Sequence, residues 1–436
     1  MVDRAPLRTL RDFFEPVFTV AALLILSGGP LPLLRRQVAD PYDPTRGDPI
    51  IQAVLAAVYV VTFLLVLARW RRAFVLLGRD RILLVLLGLA VVSAAWSVAP
   101  EMTIRRSFAL AGTTLFGVYL AARYSSDQIL RLLAVALGLA ALFSLTFELA
   151  LPDLVVSEEA ASQGAWHGIY THKNILGRVM ALGGAVFLLT LARGGARIVS
   201  FAAFALCAWV LVKSDSMTST VIVVTIAGLL PVFRTLRWRP TAAAPAICVV
   251  MALSAVGVVW AAGHIHLTLA ALGRDITLTG RTALWLAVID SALQRPWLGF
   301  GYSSFWLGWK GESVAVWLAT SWDAMHAHNG FLDLWLDLGV LGVAVFLVGF
   351  GRTMARAGRW IRQTPGAFAL WPMAFLAFML LYNLSESAIL RENSIFWALY
   401  VAVALTVADR RPSRAVGGTP DSVPGATSPE ASRLAA

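Results

Sequence analysis

Apolar stretches of about twenty residues recur along this chain, separated mostly by short polar connections. Hydropathy divides them into about twelve predicted spans: 17–34, 50–68, 82–99, 108–122, 129–151, 175–192, 198–213, 218–233, 245–262, 331–351, 367–384 and 394–408. The longest polar excursion, 263–330, separates the ninth span from the tenth, and a shorter one covers 152–174. The predicted fold class is therefore an all-α polytopic integral membrane protein. Continuous apolar runs, rather than alternating strands of about ten residues, exclude an outer-membrane barrel. The expected organisation is a cytoplasmic start (1–16), nine transmembrane helices (17–262), a large periplasmic loop (263–330), three more helices (331–408) and a tail (409–436). The Pro, Gly and Ser content of that tail predicts no fixed structure. No internal repeat is evident.

Composition strengthens this reading. Of 436 residues, 58% are hydrophobic and only 14% are charged, against about 25% charged in soluble domains. The first apolar run follows a charged start and lacks a small-residue cleavage site, which predicts a retained signal anchor. Cys207 and Cys248 lie in apolar segments without metal-ligand spacing and read as small hydrophobes. The net charge of +11 comes from arginines scattered between spans, not from a basic stripe, so nucleic acid is excluded as a partner.

Those arginines also orient the chain. Arg4, Arg8, Arg69, Arg71, Arg72, Arg234, Arg237, Arg352, Arg356, Arg359 and Arg410 fall in the set of loops that holds the termini. By the positive-inside rule that set is cytoplasmic, and 152–174 and 263–330 face outward, to the periplasm of a Gram-negative cell. The expected location is the inner membrane, with any chemistry on the side that has neither ATP nor nucleotide sugars.

All six histidines, His167, His172, His264, His266, His326 and His328, fall in the two outward loops. His326-Ala327-His328-Asn329-Gly330 stands at the mouth of the tenth predicted span. Spaced i,i+2, the two imidazoles would point to different faces of a helix. A metal would need a third ligand, for which Asp323 is a weak candidate. A neutral imidazole at a helix start suits general-base work, because the positive end of the helix disfavours imidazolium. Asp333 and Asp337 follow on that helix and must orient polar partners or pair with arginine. Gly339-x-x-Gly342 lets another helix approach closely. His172-Lys173-Asn174 repeats the design of a polar group before a span, and a helix N-terminus with Lys173 suits phosphate. Lys213-Ser214-Asp215-Ser216, then Glu386 and Arg391, bring further polar groups to the same face. Residues 281–294 predict an amphipathic helix with Arg281, Trp285, Ile289 and Leu293 on one face. Trp297, Trp306, Trp309, Trp317 and Trp322 follow, as an interfacial belt or as a surface that stacks on sugars or guides lipid.

His328-Asn329, nine residues, then Gly339-x-x-Gly342 resembles the HN-x9-GxxG pattern of the O-antigen ligase and Wzy-type polysaccharide polymerase superfamily. Gly280-Arg281-x-x-x-Trp285 and Pro296-x-x-Gly299-x-Gly301 are similar to a stretch of that family's large periplasmic loop. His172-Lys173-Asn174 resembles exopolysaccharide polymerases of the ExoQ type. The likeness implies an O-antigen ligase-like domain over roughly 200–350. It also implies a metal-independent, inverting glycosyl transfer without cofactor. The donor it implies is an undecaprenyl-pyrophosphate-linked oligosaccharide, the acceptor a glycan, and the surroundings a bilayer with other assembly proteins such as a flippase and a chain-length regulator. His328 would be the base and Arg281 the pyrophosphate clamp. Lys173, His172, Asn174, Lys213, His326, Asn329 and Trp285 would contact pyrophosphate or glycan, with Asp333, Asp337, Glu386 and Arg391 in support. The family commonly has a basic residue where Met217 follows Ser216, leaving Lys213 and Lys173 as rivals for a second phosphate contact. The leading expectation is an exopolysaccharide polymerase. The alternatives are an O-antigen ligase that acts on lipid A–core and, in another class, a transporter without catalysis. Charge clusters at helix ends, rather than at the midplane of broken spans, favour an enzyme.

Overall fold

The computed structural model describes residues 5–31, 47–150, 164–194, 196–237 and 281–409. The expected span at 245–262, His264, His266, Cys248, residues 152–163 and the tail beyond Asp409 lie outside the described residues. Among those described there are helices and no strand. In chain order the α-helices are α1 (Ala5–Leu26), α2 (Pro49–Leu67), α3 (Trp70–Arg79), α4 (Ile82–Val92), α5 (Pro100–Arg123), α6 (Ser126–Ala150) and α7 (Lys173–Arg193). They continue with α8 (Arg197–Lys213), α9 (Met217–Thr235), α10 (Arg281–Gln294), α11 (Ser313–Thr320), α12 (Gly330–Gln363), α13 (Trp371–Asn383) and α14 (Ile395–Ala408).

Local chemistry sets several of the ends. Asp48 accepts from the amides of Ile50 (2.8 Å) and Ile51 (3.2 Å), and Pro49 takes the first helical position of α2. Gly194, at φ +88°, terminates α7 in the left-handed region. Every hydropathy segment within the described residues overlaps a helix, and five helices (α2, α6, α7, α9 and α12) are long and apolar enough to cross a membrane. Val60, Phe63 and Leu64 on α2, and Ile198, Val199 and Phe201 on α8, remain exposed, as expected of surfaces solvated by lipid. Helix α3 occupies a stretch read from sequence as a loop. Its arginines mask the spacing of Ala73 and Leu76, which are buried.

Helices α5, α7, α13 and α14 form the centre of the bundle. Along α14 every residue from Ile395 to Leu405 is buried. A Cβ at Gly117 of α5 would lie 2.5 Å from the Ala398 carbonyl, so these two backbones cross closely only because that position is glycine. Cys207 is buried and free, consistent with a packing role. Ion pairs join the helices around Glu15, held by Arg69 and Arg123, around Asp80, held by Arg356, and around Asp409, held by Arg72 and Arg79.

Helix α12 does not run unbroken. Gly339 leaves helical geometry at φ +66°, ψ −171°. The segment Pro296–Gly301 lies alongside the break and pairs with the backbone groups freed there. Phe300 N donates to Leu336 O at 2.7 Å, Gly301 N to Asp337 O at 3.1 Å, and Val340 N to Pro296 O at 2.8 Å. A Cβ at Gly339 would sit 2.2 Å from the Trp297 carbonyl carbon. The sequence reading of Gly339 as a helix-helix contact is therefore corrected: the close neighbour is the turn that follows α10.

That segment belongs to a second, smaller core made of α10, α11 and the turns between them. It includes Leu284, Val288, Phe300, Phe305, Trp306, Trp317, Ala327 and Leu336. Helix α10 forms where the sequence places it, but it buries Leu284, Val288, Ser291 and Ala292 while Leu293 is exposed. The expected face of Trp285, Ile289 and Leu293 is thus out of phase with the core, because partners from α11 and α12 select the neighbouring stripe. The tryptophan run does not act as one surface: Trp306 and Trp317 are buried, and Trp297 and Trp309 are exposed.

Candidate functional site

The site forms where the start of α12 meets the turn that follows α13. Asn329 caps α12, its side-chain oxygen accepting from the amides of Phe331 (3.0 Å) and Leu332 (3.2 Å). Gly330 is forced by closeness: a Cβ there would lie 2.0 Å from the Asn383 side-chain oxygen at the end of α13. That oxygen accepts from Ala388 N (2.7 Å) and Ile389 N (3.1 Å), which folds the turn carrying Glu386 back towards the histidines.

The backbone of Ala327 is gripped at both polar atoms. Its amide donates to Asp333 Oδ1 at 3.0 Å, and its carbonyl accepts from Trp285 Nε1 at 2.9 Å. Buried Asp333 also accepts from Trp306 Nε1 at 2.8 Å and from the hydroxyl of Ser387, the neighbour of Glu386. One carboxylate therefore braces both the histidine loop and the glutamate turn. His328 takes a left-handed backbone at φ +48°. The loop is not helical, so the expectation that the two imidazoles face apart is corrected. Their ring centroids lie 4.0 Å from each other, and Trp322 stacks on His328 at 5.1 Å.

Glu386 joins the site. Its Oε2 lies 3.2 Å from His328 Nδ1, and its Oε1 accepts from Arg281 Nη2 at 2.9 Å. Burial would raise the Glu386 carboxyl, but the His328 hydrogen bond and charge, with Arg281 and Arg178, hold it below the usual carboxylate range. An ionised carboxylate can only accept, so neutral His328 carries its proton on Nδ1 and keeps a lone pair on Nε2. His326 is different. Its Nδ1 accepts from His328 N at 3.1 Å. Burial, then His328 and the charges of Arg391, Arg178 and Arg281, push its pKa well below the ordinary value. It stays neutral and shapes the loop.

His326, His328 and Glu386 each offer a ligand atom within 4.8 Å of the others, a set that a divalent ion could use. The third group is Glu386 rather than Asp323, which is exposed. Opposing a dication, Glu386 already binds one guanidinium, and Arg178, Arg281 and Arg391 all bear on the same cluster.

The arrangement is thus an imidazole with an oriented tautomer, joined through one carboxylate to a guanidinium, at the start of an apolar helix. Residues 178–347 match the O-antigen ligase family. The chain is also 26% identical over 272 residues to the exopolysaccharide production protein ExoQ of Rhizobium meliloti (strain 1021), covering 58% of this chain and 60% of that protein. The ligase-family segment contains Arg281, both histidines of the loop and Gly339, while Glu386 lies beyond it.

The other residues named from sequence are spread more widely. His172 caps α7, accepting from Asn174 N on Nδ1 at 3.1 Å, so those two residues serve a helix start. Lys173 pairs with Asp215 at 3.3 Å. Lys213 lies over the rings of Trp166 and Trp209, at 5.8 and 5.1 Å. Met217 is the first residue of α9. Arg391 lies in the turn before α14, where the carboxylates of Asp333, Glu392 and Asp337 favour its charged form against burial. Sequence reasoning missed Arg178, the first residue of the ligase-family segment. Its position inside an apolar span was a signal, since an arginine there is costly without a function. It also missed Arg106, which donates to the Ser303 carbonyl at 2.6 Å and ties the smaller core to α5.

Proposed function

We propose that this chain is a membrane glycosyltransferase that polymerises repeat units carried on undecaprenyl pyrophosphate, in the manner of exopolysaccharide assembly. One observation carries the reading: a single buried carboxylate, Glu386, binds the imidazole of His328 with one oxygen and the guanidinium of Arg281 with the other. A base and a cation are thereby held at adjacent points, as transfer of a glycosyl group between an alcohol and a diphosphate requires.

In the proposed step the acceptor hydroxyl oxygen attacks the anomeric carbon of the donor sugar. Its proton passes to His328 Nε2, and Glu386 steadies the imidazolium that results. The bond from the anomeric carbon to the diphosphate breaks, and the leaving group keeps the electron pair. Arg281 offsets the charge that develops on it. Attack from the face opposite the diphosphate inverts the anomeric centre. The donor is already activated, so the step uses no nucleotide, and the three arginines around the site favour metal-independent chemistry. The arginine-rich loops on the side of the termini support an inner-membrane location with the site facing the periplasm. Glycan acceptor, flippase and chain-length regulator are the partners this placement calls for.

The likeness to an exopolysaccharide production protein favours the polymerase. The family match supports a second reading, ligation of a finished glycan to lipid A–core. A transporter is disfavoured because the site couples a base to an anion clamp. The deciding experiment incubates purified protein with undecaprenyl-pyrophosphate oligosaccharide, with and without EDTA. A ladder of repeat multiples, unaffected by EDTA, is expected; product only on addition of lipid A–core would establish the ligase. His328→Ala is expected to abolish transfer with membrane insertion intact, and near wild-type activity would remove His328 as the base.

A further inference from the structure

Helix α3, the element that hydropathy did not place, has two contrasting sides. One side clips other helices together. Arg69, which precedes it, pairs with Glu15 of α1 at 2.6 Å, and Arg123 at the end of α5 meets the same carboxylate. Arg72 and Arg79 hold Asp409, just past α14. Asp80 holds Arg356 of α12, whose Nη2 also donates to the Arg79 carbonyl at 3.0 Å. Arg69 and Asp80 both leave helical geometry, so α3 continues neither α2 nor α4. A ten-residue helix tied to α1, α12 and α14 at once lies across the end of the bundle.

The other side is bare. Ala73 and Leu76 are buried, while Trp70, Phe74 and Val75 are exposed, Phe74 to 70%. Trp70 and Phe74 pack edge to face at 6.0 Å, and the Arg71 guanidinium lies 5.5 Å from the Trp70 ring centre. Leu64 and Leu67, in the last turn of α2, are exposed too, so the apolar surface continues onto a helix long enough to cross a membrane. Aromatic and basic side chains together at the end of such a helix suit the boundary between acyl chains and headgroups. The arginines are sorted between the two sides. Arg69, Arg72 and Arg79 have carboxylate partners, whereas exposed Arg71 and Arg81 have none among the described residues. Arg352 and Arg359, to either side of paired Arg356 on α12, are likewise exposed and without a carboxylate among those residues. Cations without a protein counter-charge, set beside exposed aromatic rings, are complementary to an anion carried on an apolar body.

We infer that the Trp70–Phe74 face of α3 is a membrane-surface site for anionic phospholipid, with Arg71 and Arg81 on the headgroup phosphates. The ion pairs to Asp409 and Asp80 fix the rotation of α3, so this face is presented before lipid arrives and little order is lost on binding. The leaflet follows from the orientation proposed for the chain. The lipid contact itself is independent of the glycosyl-transfer reading.

The test gives the purified full chain, in detergent, an equal mixture of phosphatidylglycerol and phosphatidylcholine and reads retained lipid by native mass spectrometry. Wild type should retain phosphatidylglycerol over phosphatidylcholine. Arg71→Gln should lower that preference about fivefold, the share of one arginine at an anionic surface, and adding Arg81→Gln should lower it further. Arg131→Gln removes an exposed arginine that is already paired with Asp127, and should leave the preference unchanged. No preference in wild type, no change in Arg71→Gln, or an equal loss in Arg131→Gln overturns the assignment. A second measurement needs no arginine variant. A spin label at Phe74→Cys, in a chain with Cys207 and Cys248 replaced by alanine, is placed in bilayer discs of the two lipids. Greater accessibility to oxygen than to a water-soluble nickel chelate is expected. The reverse would leave this face in water, open to a protein partner, and would overturn the lipid site. Either failure leaves the glycosyl-transfer reading standing, since that reading is tested by product formation.

Discussion

Glu386 is the residue on which the site turns, yet it lies 58 positions from His328. Sequence inspection could name His328 from its place at a helix mouth and Arg281 from its motif. It could not pair them through this carboxylate, because no local spacing connects the elements that carry them. The same holds for His326 and His328. A helical i,i+2 rule separates them, whereas one left-handed residue brings their rings together. Glu386→Gln tests the pairing. The amide keeps the shape but loses the charge that stabilises imidazolium, so kcat should fall by about a hundredfold or more, with donor binding less affected. The depressed pKa of Glu386 adds a pH arm. A carboxyl held below its ordinary value contributes its pairing fully above that value and loses it only as pH falls through the lowered one. Wild type should therefore keep the Glu386 pairing through mild acid. Transfer kinetics of both proteins across pH check both points, and wild-type kcat in the variant would reduce Glu386 to scaffolding.

Among the elements, the break in α12 is where periodicity misled. An apolar run with two glycines four residues apart by inclusive count reads as one helix with a contact face. The structure instead opens the helix at Gly339 and fills the opening with Pro296–Gly301. Periodicity reports which side chains are apolar; it is blind to a neighbouring backbone that can replace missing helical hydrogen bonds. Gly339→Ala should lower the thermal stability of detergent-solubilised protein markedly, since it meets both a left-handed backbone and the Trp297 carbonyl. Gly351→Ala, in the same helix with open space around the new methyl, should be neutral or slightly stabilising. Equal melting behaviour of the two variants would contradict this account of the break. Helix α10 gives a milder case: its extent was legible, but its buried stripe was set by partners elsewhere in the chain.

At the scale of the whole molecule, arginines of the loops expected to be cytoplasmic also hold the helices together. Arg69 and Arg123 meet on Glu15, and Arg72 and Arg79 on Asp409, so basic connections serve as clips between helices. The proposed topology is open to direct test in a background with both cysteines replaced by alanine. A cysteine at exposed Asp323 should react with a membrane-impermeant maleimide in cells whose outer membrane is permeable to it. One at exposed Arg359 should react only once the inner membrane is opened. The reverse pattern would place the histidine loop on the cytoplasmic side and end the proposed chemistry.

The sequence alone determined that this is a helical membrane protein, where most helices lie, and that polar chemistry gathers at their ends. These properties follow from hydropathy and local spacing, which depend on neighbours within a few turns. Only the tertiary structure decided that Glu386 joins His328 to Arg281, that Lys173 and Lys213 have other partners, and that Arg178 packs against Tyr382 and Phe396. Those outcomes depend on which helices meet and in what rotation, and packing between distant segments sets both.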